Sequence, residues 1–317
     1  MRPGSSEPGL NLCQGRFERV SIDWRRRLWL LPAVPIVFLA VAMIANDVLT
    51  LEPVASFVAQ YPGVVALPSD APTGFPVWVN ATHFLNILFM VLIARTALSI
   101  RSKQRPPHFF TRRNKGLIRT AGNPRRMSIH VWLHLAIDLL WAANGVVFIV
   151  LLFATGQWMR IVPTSWDIFP NALSAALQYL GFVWPADNAW VNYNSLQVLA
   201  YFVTVFVAAP LAILTGIRLS NAWPQREHWI RAVPEKPIRW IHNAALVYFA
   251  VFVTIHVFLV LTTGLLRNLN MMFAANDGTN WVGLVFCVLG LDVIMAIWMI
   301  LRPKTVAVIA RVFGKVQ

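Results

Sequence analysis

Seven histidines punctuate this chain, and five of them, His83, His130, His134, His242 and His256, fall in or at the edge of long apolar runs. The other two, His108 and His228, lie in basic loops where solvation accounts for them. An ionisable ring in an apolar span calls for a partner, a metal or a water-filled path. His242 and His256 stand 14 residues apart on one run; on an α-helix that leaves them about 40° apart around the axis and about 21 Å apart along it. They share a face near opposite ends of a span. Two imidazoles on facing helices at one depth can clamp a flat macrocycle through axial Fe–N bonds. The spacing therefore predicts two b-type haems, one near each membrane surface. Covalent c-type attachment is excluded, because neither Cys13 nor Cys287 belongs to a C-x-x-C-H motif.

The elements that must position these rings are read from apolar length. The chain has 317 residues, of which 57% are hydrophobic and only 13% charged, with a mass of 35.7 kDa and a mean hydropathy of +0.59. An ordinary soluble domain carries about 25% charged residues, so disordered, collagenous and secreted disulfide-scaffold classes are excluded. Apolar runs near the roughly 20 residues that cross a bilayer place helices at 28–47, 83–100, 130–155, 195–217, 241–264 and 282–301. The fold expected is an all-α polytopic transmembrane bundle of about six spans with a four-helix di-haem core over 83–264. A basic segment, 1–27, precedes the membrane domain at 28–301, and a basic tail, 302–317, follows it. The first run resembles a signal peptide, but it has no convincing small-x-small cleavage site and is long enough to span.

Charge orients the bundle. The stretch from Arg101 to Met127 carries many Arg and Lys and no acid, whereas Leu51 to Thr82 carries neither Lys nor Arg. The positive-inside rule makes the first cytoplasmic and the second external. Gly156 to Asn194 holds only Arg160, and Leu265 to Trp281 only Arg267, while Arg218 to Arg239 and the tail are basic. Both termini are expected inside, in the plasma membrane of a bacterium. This topology sets depth: His83 and His256 fall near the outer surface, His130, His134 and His242 near the inner one. The expected iron ligands are His83 with His256 for an outer haem and His134 with His242 for an inner one. His130 lies four residues before His134 on the same face and is the alternative inner ligand; His134 is favoured because it sits one turn deeper.

Other features are weighed against plainer readings. The net charge of +14 sits in short loops where it sets topology, so no nucleic-acid partner is expected; membrane lipid is. Asp138, one turn after His134, could orient its imidazole or accept a quinol proton, or be a hydrogen-bonded packing acid. Arg95 could meet a haem propionate or snorkel to the cytoplasmic surface. Asp292, Asn86, Asn144 and Asn194 take no assigned role. The aromatic stretch from Thr164 to Trp190 reads as an interfacial lid holding a short helix, or as ordinary packing on the bilayer surface. No internal repeat, phosphate-cradling loop, zinc-type cluster or Ser/His/Asp set is found, which argues against self-contained hydrolytic or nucleotide chemistry.

The segment IHNAALVYFAVFVTIHVFLVLTTG with its 14-residue histidine pair, and NATHFLNILFMVLIARTALSIR around His83, resemble the di-haem cytochrome b subunits of membrane-bound formate dehydrogenases, nickel-iron hydrogenases and thiosulfate reductases. The phrases WVNATHFLN, VWLHLAIDLLWAANGVVFIVLLFATGQWMRIVPTSWDIFPNAL and YNSLQVLAYF are similar to an actinobacterial-type thiosulfate reductase branch. The likeness covers the four helices between about 83 and 264, with one helix added before and one behind. The formate dehydrogenase subunit starts its first ligand helix inside, whereas here the positive-inside rule starts that of His83 outside. Asp138 stands where the family often has a small residue one turn after the ligand.

The resemblance implies an electron-transfer subunit rather than a self-contained enzyme. Two b-type haems would carry electrons between the quinone pool and a partner oxidoreductase subunit containing molybdenum or iron–sulfur centres. No such motif occurs in this chain, so substrate chemistry is expected on that partner. Bis-imidazole ligation leaves no open iron position for oxygen. Two further readings are a proton- or ion-coupled transporter whose histidines relay protons, for which only Asp138 is a fitting carboxylate, and a haem-free membrane anchor, which leaves the 14-residue pair a coincidence.

Overall fold

The structure is a computed structural model and describes residues 33–102, 104–115, 124–184, 188–220 and 234–317. The N-terminal basic segment, Cys13 and His228 lie outside the described residues. Five helices are long and apolar enough to cross a membrane, and a bent pair raises the number to six, so the chain is an all-α multi-pass membrane protein.

The bent pair is the first departure from the sequence reading. Helix α1 (Ala33–Thr50) is followed by α2 (Glu52–Gln60) at 82°. Pro53 in the first turn of α2 has no N–H with which to continue α1, so residues expected as loop form a second helix. The spans that follow are α3 (Val77–Arg101) and α4 (Ile129–Ala154). Ser128 caps α4 by accepting from the Val131 N–H at 3.2 Å, and Gly156 at φ +75° stops it. An outer-loop helix, α5 (Ile168–Leu180), precedes the span α6 (Ser195–Leu219). Asn194 and Gln197 open α6 with a reciprocal capping box. Within α6, residues Val203–Ala208 form a π-helical turn just before Pro210, where a proline disrupts the regular hydrogen-bond ladder.

The long span α7 (Glu235–Thr262) leads through Gly264, φ +128°, into α8 (Leu265–Ala274), then the span α9 (Val282–Ile300) and α10 (Pro303–Phe313). Asn270 of α8 is wholly buried; it accepts from the Gly283 N–H at 2.7 Å and donates to the carbonyls of Gly278 and Asn280. A Cβ at Gly283 would collide with the backbone of Leu269 and Asn270. Gly283→Ala should therefore destabilise the fold by about 1–3 kcal/mol through overpacking, read as a lower thermal unfolding midpoint in detergent.

The basic tail is folded. Val306, Ala307 and Ala310 bury one face of α10, and β3 (Gly314–Val316) pairs antiparallel with β1 (Phe109–Arg112), which also pairs with β2 (Met127–Ser128). Phe110, Ile129, Val306 and Ala310 form a small core there. This end carries most of the loop arginines and is the basic end; the opposite, base-poor end holds α2, α5 and α8.

Packing within the bundle is uneven. Helix α3 lies along α4, and α6 along α7, while the backbones of these two pairs make few close approaches to each other. The pairs meet through side chains instead: Trp141 of α4 against Phe249 of α7, His83 against His256, and Arg101 hydrogen-bonded to Asn243. Most apolar residues of α1 and α9 stay exposed, as expected of lipid-facing helices.

Candidate functional site

Four of the five span histidines face each other across the two helix pairs, His83 toward His256 and His134 toward His242. His83 of α3 and His256 of α7 stand with ring centroids 6.3 Å apart and planes at 60°. Phe252, one turn before His256, stacks on its ring at 5.7 Å, and Tyr201 and Phe273 meet the two imidazoles edge-on. His83 Nδ1 is buried with no hydrogen-bond partner. Asn144 of α4 donates to the Thr82 carbonyl at 3.1 Å, which brings the neighbouring Gly145 to the level of His83; a Cβ on Gly145 would meet nothing within 4 Å.

Toward the basic end, His134 Nδ1 lies 2.8 Å from the Thr96 hydroxyl, and His242 Nδ1 lies 2.9 Å from the Thr215 hydroxyl. Each threonine spends its single proton on a backbone carbonyl one turn back, Thr96 on Leu92 or Ile93 and Thr215 on Leu211 or Ala212. With the ring proton on Nδ1, donated to that hydroxyl, Nε2 would keep its lone pair for a metal. His134 and His242 lie close enough for their charges to interact. Gly216 keeps α6 bare beside His242: a Cβ there would lie 3.6 Å from its ring.

His130 is placed differently. Together with Arg95, Thr96, Ser99, Leu133, Leu301 and residues of α10, it lines a cavity of about 140 Å³ at the basic end. Arg95 donates to the Trp298 carbonyl and lies over the Trp298 ring at 4.6 Å, which ties its guanidinium to α9. Asp138 Oδ2 lies 3.5 Å from His134 Nε2. It meets the nitrogen on the open edge of the ring, while Thr96 is the group behind it. Of the unassigned amides, Asn86 accepts from the Trp141 indole at 2.6 Å and Asn194 caps α6. Asp292 is exposed on α9, a helix that contributes none of these histidines.

Sequence reading missed Thr96 and Thr215. Their signal was faint, because a threonine back-bonded to its own helix is common in spans; the clue is that each lies at the basic-end depth of a histidine on the facing helix.

A bundle of apolar helices that opposes the imidazoles of one span to those of two others is a membrane cytochrome of the b type. A family model described as prokaryotic cytochrome b561 matches residues 74–275, and the chain belongs to that family of haem-binding membrane electron carriers. The match runs from just before α3 to just after α8, and leaves α1, α2, α9 and α10 outside it. No curated protein and no solved structure matches the chain. Family members partner oxidoreductase subunits.

The residues present fit b-type haem. Imidazole–metal bonds run about 2 Å, so two rings sharing one metal need centroids about 6 Å apart, close to the separation of His83 and His256. The gap between helix pairs, the bare backbone of Gly216 beside His242, and the buried, unpartnered Nδ1 of His83 suit a flat macrocycle with nitrogen ligands from both sides.

Proposed function

We propose that this protein is a di-haem cytochrome b subunit that carries electrons between the membrane quinone pool and a partner oxidoreductase subunit holding molybdenum or iron–sulfur centres. The observation that carries the reading is the His83–His256 pair, presented at bonding separation by helices whose backbones stay apart. His83 and His256 hold the haem at the base-poor end; His134 and His242 hold the other, with Thr96 and Thr215 fixing their tautomer. Bound haem supplies a one-electron centre at each level. The basic end faces the cytoplasm, where its arginines follow the positive-inside rule, and both termini lie on that side.

The basic-end cavity receives the quinol head group. Its volume of about 140 Å³ resembles that of an engineered apolar cavity known to admit benzene. Ser99 and His130 offer polar atoms at its wall, and Thr96 is shared between the cavity and His134. Apolar Leu133, Leu301 and Val306 exclude water from the rest. Redox chemistry on the final substrate belongs to the partner.

The test is a reduced-minus-oxidised visible spectrum of the purified protein, with a pyridine haemochrome assay. Two b-type haems per chain and no spectral shift with carbon monoxide are expected. Folded protein made with haem supplied that retains none would overturn the reading.

A further inference from the structure

Arg160 is the only base in the loop from Gly156 to Asn194, on the side of the bundle where the charge pattern disfavours bases. It is almost wholly enclosed, with 2% of its surface exposed. One guanidinium nitrogen donates to the Gly74 carbonyl at 2.5 Å and the Gln157 side chain at 3.3 Å; the other donates to the Ala189 and Trp190 carbonyls. Its Nε is buried without a partner, and its plane lies 4.9 Å over the rings of both Phe75 and Tyr193. Gly74 can offer its carbonyl here because it takes φ +81°, with Trp190 packed where a side chain would stand.

None of these partners neutralises the charge. Carbonyls, an amide and aromatic faces are all neutral, and burial pushes the Tyr193 phenol up to about 12, so it stays protonated at working pH. Burial lowers the Arg160 guanidinium from its ordinary value, yet arginine remains charged in proteins. Arg267, the lone base of the other base-poor loop, shows the contrast: it is held bidentate by Asp277 at 2.7 and 3.0 Å. Arg160 has no carboxylate against it among the described residues.

This cation, without a carboxylate partner among the described residues, is joined to the histidine pair by aromatic contacts. Tyr193 meets Tyr201 at 5.0 Å, and Tyr201 meets His256 at 6.4 Å, so a short run of rings leads from the guanidinium to the imidazole. We infer that Arg160, besides bracing the base-poor loops, is an electrostatic tuning residue that raises the reduction potential of the haem held by His83 and His256. A buried positive charge favours the form with the extra electron. Over roughly 15 Å at an effective dielectric near 20, one unit charge is worth about sixfold in an equilibrium constant, or about 50 mV for one electron.

The inference rests on the di-haem reading, and a potentiometric titration of the haem-loaded protein tests it apart from that reading. Arg160→Gln should lower one of the two midpoints by about 50 mV and leave the other in place, while Arg160→Lys, which keeps the charge, should restore it. Gln157→Glu sets a carboxylate against the guanidinium without removing its other bonds, and should lower the same midpoint even if Arg160→Gln fails to fold. Haem-replete Gln157→Glu protein with both midpoints unmoved would overturn the inference, as would an Arg160→Lys midpoint as low as that of Arg160→Gln. Absence of haem from the parent would instead overturn the di-haem reading itself.

Discussion

His256→Ala should halve the haem content, from two per chain to one, while the protein stays folded in the membrane. His83→Ala should do the same, and the double variant should lose no more than either single one. This non-additivity is the sharpest part of the expectation. Two ligands of one iron act as a unit, so removing the second adds nothing. The rings stand 6.3 Å apart with Phe252 stacked behind His256, and nothing in that geometry lets another imidazole substitute: the remaining span histidines lie near the basic end. The pyridine haemochrome count per chain checks it, and an undiminished count in His256→Ala would remove this residue from the ligand set.

At the basic end the contrast is between neighbours. His134→Ala should remove the second haem, whereas His130→Ala should keep both and slow reduction by added quinol. The two residues share a helical face and differ in what stands behind them. The Thr96 hydroxyl stands 2.8 Å from His134 Nδ1, while His130 borders the cavity with Arg95 and Ser99. Orienting partners of this kind are typically worth 10–100-fold in metal affinity, which favours His134 over His130 as the proposed ligand. Haem counts exchanged between the two variants would reverse the assignment. Stopped-flow reduction with a short-chain quinol reads the second half of the prediction.

Much of this arrangement is legible in the sequence because a span is a rigid ruler. His242 and His256 lie on the unbroken helix Glu235–Thr262, so their angular and axial offsets follow from residue count alone. The facing of His83 and His256 follows from depth, which charge asymmetry sets. The bend after Thr50 was not legible from apolar length, which measures a run without its direction. The tail was masked by its charges: Lys304, Arg311 and Lys315 read as a solvated end, while the period of Val306, Ala307 and Ala310 is too short to stand out. Arg160 reads as a stray loop base because burial by residues as distant in sequence as Phe75 and Tyr193 is a property of the folded chain alone.

The pairing of Phe110 with Val316 bears on biogenesis. A growing chain that has inserted α7 already carries all four proposed ligands, yet the side of the cavity covered by Pro303 and Val306 still stands open. That side closes only after α9 has crossed and α10 has docked on Ile129. The quinol pocket proposed at the basic end would thus be completed last, by residues that follow every proposed haem ligand in the chain, and β3 works as the latch that holds them in place.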